Sequence, residues 1–590
     1  MKGKITQLLQ EVLIELGVAD LEAAVVYSEQ KEHGDYATSL AFKVASQLKI
    51  SPLEAAEKIK EKLLSFHDES IATVEVVKPA FVNITLTAES LLENLESIIE
   101  NGIRNPSFLQ GKTYLVEFTD PNPFKEFHIG HLYSNIVGES LSRIFEANGA
   151  LVKRVNYQGD VGLHVAKSVW GVRQMITSLP TDEADIVTRA RFLGQAYAHG
   201  ATAYEESESI KSEIIEINKA IYKGIAEDDK TSEIMTLYHK GKMWSLEYFE
   251  AIYHRLMEPQ NDKAFDRYYF ESEAGPKGLE IVKQYLAKGI FKESEGAIIF
   301  EGEEYGLHSR VFINSLGLPT YEAKELGLAL TKFEEYSPDY SIMITGNEIN
   351  EYFKVLLKAI SLIRPDISEK TQHISHGMVR LPTGKMSSRT GDVITAESML
   401  HEAHQKAAEK IKEVKKLDEA SAYTLGDDDE KFRLAEMIGD GAVKYALLKH
   451  GIGKDIEFNF EESISFEGNS GPYLQYTYVR TRSLLSKAEE LSIKPVVLQG
   501  ISLNDEEREL LRLILLYPEI VADASEKLSP NSIASYLFTL SQLFNLFYQK
   551  YPILKAESES ASFKVALTQG VGMTLKEGLR LLGVKTPDKM

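Results

Sequence analysis

His128-Ile129-Gly130-His131 places two imidazoles three residues apart around a glycine. At that spacing both rings can face one side of a helical turn and donate hydrogen bonds to a phosphoryl group as charge develops on it. Gly130 carries no side chain, so a planar base or a phosphate can come close to the backbone. The other use of such a pair is to cap the helix that follows. A second stretch, Gly384-Lys385-Met386-Ser387-Ser388-Arg389-Thr390-Gly391, sets one lysine, two serines and one arginine between glycines. Alone it also reads as an exposed basic turn, but a loop of that kind can close a cation over a pyrophosphate leaving group. In this order along one chain the two segments are far more specific than either by itself.

The elements around the histidines must supply the geometry. Tyr114–Phe118 reads as a strand, Asp120–Phe127 as a proline-containing loop, and about Gly130–Asn148 as a helix. Leu132, Ile136, Leu141, Ile144 and Phe145 form the apolar face of that helix, Gly149 stops it, and Val152–Tyr157 is the next strand. Strand, loop, helix, strand opens a doubly wound parallel sheet. Its ligand side holds the helix N-terminus, which favours anions. Residues from about 176 to 260 are polar and helix-rich and read as an insertion, with strand signals returning at Ala297–Phe300, Val311–Ile313 and Tyr340–Thr345.

Before this unit lie an amphipathic helix over Met1–Leu16, helical patterns at Ser39–Gln47 and Pro52–Ser65, and strand-like runs at Thr73–Lys78 and Phe81–Leu86. Asn101-Gly102 and Asn105-Pro106 mark a boundary. After it, a lysine-rich helical stretch, Glu402–Lys416, leads through the acidic Gly426–Glu430 to a region from about Phe432 that is helical throughout. The expected division is 1–108, 109–425 and 426–590.

Composition bounds the function without deciding it. A net charge of −22 argues against a general nucleic-acid coat, yet 66 Lys and Arg leave room for a local basic face. The absence of cysteine excludes disulfides and thiolate metal sites and fits a reducing compartment. No apolar run is long enough to span a bilayer, and the N-terminus does not read as a signal peptide, so a cytoplasmic protein without a membrane partner is expected.

The paired segments resemble the HIGH and KMSKS motifs of class I aminoacyl-tRNA synthetases. HIGH is intact, whereas Lys385-Met386-Ser387-Ser388-Arg389 departs at its fourth and fifth positions. The resemblance narrows to the arginyl-tRNA synthetase family through the region Val116–Leu132, which includes Pro121, Asn122, Pro123, Phe124, Lys125, Glu126 and Phe127 before His128. Phe265–Ser272, Gly377-Met378-Val379, Phe466–Tyr476 and the ending Leu581–Val584 with Pro587 and Met590 match it too, as do Gly34–Thr38 and Phe81–Asn83 near the N-terminus.

That resemblance implies a multidomain α/β plus all-α protein. Its parts would be a small N-terminal α/β domain that contacts tRNA, a Rossmann-like parallel-sheet catalytic domain with a helical insertion, and a C-terminal helical bundle that binds the anticodon. It implies an arginine–tRNA ligase acting on L-arginine, Mg²⁺-bound ATP and tRNA(Arg), monomeric, with activation itself dependent on tRNA and transfer to the 2′ side of the ribose. Catalysis falls to His128, His131 and Lys385. ATP is bound by His128, Gly130, His131, Gly159, Asp160, Lys385, Met386, Ser387 and Ser388, and no protein-bound zinc is required.

By motif position Glu117, Asn122, Tyr321, Glu325 and Glu348 take arginine, whose guanidinium suits planar carboxylates and carbonyls. Tyr321 and Glu325, one helical turn apart, can face the same pocket, although Glu325 could equally be a solvated helix carboxylate. Tyr36, Ser39, Phe81, Asn83, Tyr473, Gln475, Arg480, Arg482 and Tyr548 are the candidates for RNA contact, where aromatics interleaved with cations can stack on unpaired bases. The chain departs from the family's usual residues at Ser39, Tyr157, Val161, Glu325 and Ser388. The rival readings are another nucleotidyl-transferring HIGH enzyme, such as a cysteine or small-acid ligase, and a tRNA-binding protein that has lost catalysis.

Overall fold

The computed structural model describes residues 1–28, 31–259, 262–381, 395–417 and 428–590. Its centre is a five-stranded, wholly parallel sheet in the order Thr371–His376, Tyr340–Gly346, Thr113–Glu117, Leu151–Gln158, Arg267–Phe270. The chain enters at the middle strand, winds to one edge, then crosses back to the other side. The switch point therefore falls between Thr113–Glu117 and Tyr340–Gly346, and ligands of such sheets bind there, beyond the strand C-termini. The helix Ile129–Ala147 follows the first strand and is buried along most of its length. Gly138 lies against Phe118, where a Cβ would come within 2.2 Å of the ring.

Of the later strand signals, Tyr340–Thr345 joins this sheet, whereas Ala297–Phe300 and Arg310–Ile313 form a separate antiparallel sheet with Lys292–Ser294. The insertion consists of the helices Ile186–Glu206, Glu208–Ala226 and Glu233–Met257. They pack with Leu163–Gln174 around Val165, Trp170, Phe192 and Trp244, and Phe124 of the histidine loop is part of that core.

An N-terminal four-stranded antiparallel sheet, carrying Tyr36–Thr38 and Phe81–Leu86, is fastened to the C-terminal bundle. Asp35, fully buried, binds Arg508 at 2.8 Å and Arg512 at 3.2 Å, both on the helix Asp505–Glu526. The bundle's last helix, Ser558–Leu581, ends against the histidine helix, where the Ser140 hydroxyl donates to Leu581 O at 2.9 Å and Arg143 donates to Arg580 O at 2.8 Å. Lys444 closes the same junction by donating to Leu256 O and Gly583 O. No helix among the described residues is long and apolar enough to cross a membrane.

Candidate active site

The loop between the first strand and the histidine helix turns through left-handed backbone at Thr119 (φ 82°), Asp120 (φ 43°) and Phe124 (φ 69°). A β-branched residue at positive φ is strained and persists only where its surroundings overdetermine it. Here they do. The Thr119 amide donates to Ser134 Oγ at 2.9 Å, Asn135 Nδ2 donates to Thr119 Oγ1 at 3.0 Å, and the Ser134 hydroxyl donates onward to Ile344 O at 2.9 Å. The Tyr157 amide donates to Asp120 Oδ1 at 2.8 Å, and the Phe124 amide to Ser245 Oγ of the insertion at 2.8 Å. Beyond the segment 382–394 the described chain resumes against the histidines: Thr395 bridges His128, and the Ala396 amide donates to Phe127 O.

His128 is the N-cap of Ile129–Ala147. Its Nδ1 accepts from the amides of Gly130 at 3.1 Å and His131 at 3.4 Å, while His131 Nδ1 accepts from the His128 amide at 3.3 Å. The rings stack with centroids 3.5 Å apart. Burial, then Lys125 and His376, lower His128 to about 4; burial, then His128, hold His131 well below the ordinary range. Both rings are therefore neutral at physiological pH. With each Nδ1 accepting from the backbone, the proton sits on Nε2 and is directed away from the helix end. Capping and phosphoryl recognition, alternatives on sequence grounds, do not exclude each other here, because the cap fixes the tautomer that leaves Nε2–H free to donate. Gly130 has a further reason to be glycine, since a Cβ there would meet His128 Cε1 at 2.9 Å.

On the other side of the switch point lies an acidic pocket. Glu117, buried at the end of its strand, accepts from Lys332 Nζ at 2.7 Å. Glu325 is buried on the same helix as Lys332, and its Oε1 has no hydrogen-bond partner. Asp120 is driven up by burial and then by Glu117. Tyr321, one turn before Glu325, is 58% exposed and stands at the rim of the helix that carries the buried carboxylate. Glu348 is exposed on the short turn after Tyr340–Gly346 and acts electrostatically on His376.

Asn122 reaches toward Gly159, where a Cβ would lie 2.3 Å from Asn122 Oδ1 and 3.2 Å from Glu271 Oε1. Gly159→Ala keeps the fold but displaces Asn122; if the site takes arginine, as the sequence resemblance implies, the expected result is a rise of about tenfold in the arginine KM, the loss of about one charge-assisted hydrogen bond. An unchanged KM would separate Asn122 from arginine. Asp160 is fully buried and accepts from Tyr238 (3.0 Å), Lys242 (2.7 Å), the Ser272 amide (2.9 Å) and the Ser272 hydroxyl (2.6 Å). Its carboxylate thus clasps the insertion to the start of the helix Glu271–Leu286.

Lys385, Met386, Ser387 and Ser388 lie outside the described residues. Lys332, Asp120, His376 and the buried Glu271–Lys324 pair at 2.6 Å were not singled out from sequence for the pocket. Only Lys332 had a usable signal there, as a lysine on the apolar side of a helix that already carried two candidates.

The RNA candidates divide by burial. Tyr36 is fully buried with its hydroxyl on Glu519 at 2.5 Å, Asn83 is buried in its strand, and the buried Gln475 amide donates to Met437 O and Lys585 O. All three lie in the interior, where Tyr36 and Gln475 bridge distant segments, which corrects their expected placement at an RNA-facing surface. Ser39, Phe81, Arg482 and Tyr548 are exposed, and Phe81 packs edge-on to the exposed Phe42. Tyr473 is half-buried. Arg480 lies between the Tyr476 and Tyr548 rings, 4.9 Å from each. Among the described residues no group of three or more His, Asp or Glu side chains is placed to hold a metal ion.

Family models match nearly the whole chain. Residues 94–460 match "tRNA synthetases class I (R), catalytic domain", 474–590 the "DALR anticodon binding domain", and 3–86 the "Arginyl tRNA synthetase N terminal domain". The arginine–tRNA ligase of Parabacteroides distasonis is 31% identical over 98% of this chain and 97% of its own. The structure of Thermus thermophilus arginyl-tRNA synthetase matches with a TM-score of 0.80 at 24% identity, covering 100% of both chains. That of the Plasmodium falciparum enzyme matches with 0.76 at 19% identity, over 100% of this chain and 99% of the other.

Proposed function

We propose, on the premise that this chain belongs to the class I arginyl-tRNA synthetase family, how its residues carry the reaction. The chain is an arginine–tRNA ligase: it activates L-arginine with ATP to arginyl-adenylate, releasing pyrophosphate, and transfers the arginyl group to the terminal ribose of tRNA(Arg), releasing AMP.

The observation that carries the mechanism is the reciprocal cap at His128 and His131, with its two Nε2–H donors, beside the buried Glu117–Glu325 pocket. The arginine carboxylate attacks the α-phosphorus of ATP, which enters with its own Mg²⁺. As the bond to the leaving pyrophosphate lengthens, negative charge grows on the phosphoryl oxygens, and neutral imidazole donors already held by the helix end stabilise it without reorganising. Lys125, whose charge acts on both histidines, adds positive potential from the loop. Lys385, with Met386, Ser387 and Ser388, belongs to this reading by motif. Gly130 and Gly159 belong to the nucleotide side by motif, where the absence of a side chain lets the His128 ring and Asn122 Oδ1 pack against the backbone, and Asp160 acts by fixing Gly159 and Glu271 in place.

Glu117, Asn122 and Glu325 receive the arginine side chain, Tyr321 closes the rim, and Glu348 lines the mouth. The ribose 2′-hydroxyl of the tRNA terminus then attacks the adenylate carbonyl. Ser39 and Phe81 on the N-terminal domain, and Tyr473, Arg480, Arg482 and Tyr548 on the bundle, form the RNA-facing set. We place the protein in the cytoplasm and expect a monomer.

Pyrophosphate exchange tests the reading. Purified protein should exchange label into ATP when arginine and cognate tRNA are both present. No arginine-dependent exchange under those conditions refutes it.

A further inference from the structure

The pocket holds more carboxylate than it can neutralise. Glu117 ends its strand, Asp120 lies in the loop, and Glu325 lies on the helix Tyr321–Tyr336; Lys332 is the ammonium that faces all three. Lys332 is engaged by Glu117 at 2.7 Å. Asp120 has the Tyr157 amide on Oδ1, but Glu325 Oε1 is enclosed and unpartnered. Ala329, Lys332, Phe333 and Ser341 lie around Glu325 on its own helix and the adjoining strand.

The other groups facing Glu325 bring no cation to it. Glu271 on the neighbouring helix repels it and is bound to Lys324, while Tyr352 and Tyr157 are buried phenols held in their neutral form. Burial, then the charge of Glu117, push Glu325 up to about 8, against the pull of Lys332.

We propose that arginine binding expels a proton from this cluster, with Glu325 as the group that gives it up. The inference rests on the reading of Glu117 and Glu325 as the guanidinium pocket. Before binding, Glu325 carries a carboxyl proton. When the guanidinium arrives, its positive charge makes the carboxylate the favoured form, and the proton passes to solvent. The guanidinium keeps all its own protons, because it does not deprotonate in proteins.

The consequence is a pH-dependent affinity with a definite sign. Below the free pocket's pKa, each molecule of arginine bound releases close to one proton, so affinity rises about tenfold per pH unit and levels off above about pH 8. His128 and His131 titrate too low to contribute in that window.

Calorimetric titration of the full chain with arginine tests this, at about pH 7, where a group titrating near 8 is still mostly protonated. Runs in buffers of small and large ionisation enthalpy should give heats that differ by the ionisation enthalpy of nearly one proton. Affinity should rise about tenfold between about pH 6 and pH 7. Glu325→Gln should bind more weakly, with the same heat in every buffer and no pH slope, whereas Asp120→Asn should still release the proton.

Wild-type protein that binds arginine with buffer-independent heat overturns the proposal and leaves the pocket intact. Proton release that persists in Glu325→Gln overturns the assignment to that residue. Failure to bind arginine, with or without cognate tRNA, removes the pocket reading itself.

Discussion

His131→Ala lowers turnover by about 10²–10³-fold, the effect of losing one preorganised donor to transition-state charge, while the arginine KM stays close to its original value. Two losses combine at this position. The Nε2–H donor disappears, and the His128 amide loses the acceptor that closes the helix end at 3.3 Å. The second loss costs about 1 kcal/mol of stability, as for removal of a helix cap. It also frees the His128 ring, which stacks on His131 at 3.5 Å.

His131→Gln separates the two losses, because a glutamine at the third helical position can reach back to the N-cap amide. It should recover the melting temperature while turnover stays low. Near-normal turnover in His131→Ala would refute the role given to the ring. The pH profile is a second check. Because burial lowers His128 to about 4 and holds His131 well below the ordinary histidine range, both rings stay neutral through the neutral range, and turnover at saturating arginine should be flat there. An imidazolium mechanism would instead lose activity as pH rises through the ordinary histidine range.

The histidine site was legible in the sequence because its determinants are local. A strand, a proline-containing loop and a helix with a 3.6-residue apolar period sit next to one another, and the boundaries expected for the helix, about Gly130–Asn148, lie within a residue of Ile129–Ala147. The parallel strand at Tyr340–Thr345 was legible for the same reason. The chemistry of the pocket was less so, because its partners are far apart in the chain. Lys332 meets Glu117 across 215 residues, and Lys242 meets Asp160 across 82, and no periodicity reports such pairings.

Burial of polar side chains failed in the same way. Tyr36 is expected at the RNA because Gly34–Thr38 resembles the family's N-terminal tRNA-contacting domain. Its hydroxyl instead finds Glu519, 483 residues away, and the ring becomes part of the seam between the N-terminal sheet and the bundle. Gln475 sits inside a motif-like stretch but satisfies the carbonyl of Lys585. Where a motif's residues serve the docking of domains, composition and spacing cannot distinguish them from residues that meet a ligand.

Glu117→Ala should raise the arginine KM by about 10- to 100-fold, the range for losing a charge-assisted hydrogen bond in a buried site. Stability changes with it, because Lys332, 1% exposed, loses its partner at 2.7 Å. Breaking a buried ion pair from one side costs about 3–5 kcal/mol. Part of that cost is offset here. Removing Glu117 also removes the repulsion that helps keep Glu325 protonated, so Glu325 ionises more readily and takes over as the counter-ion of Lys332.

The double variant Glu117→Ala with Lys332→Met distinguishes recognition from stability. With both charges gone, no buried ion is left unpaired, and the melting temperature should return toward that of the native chain. The arginine requirement should stay high, because the carboxylate that meets the guanidinium is still missing. Aminoacylation measured against arginine concentration, alongside thermal melts of the three proteins, reads both quantities. If the double variant recovers its arginine dependence along with its stability, Glu117 acts only by balancing Lys332, and the guanidinium is bound by Glu325 without it.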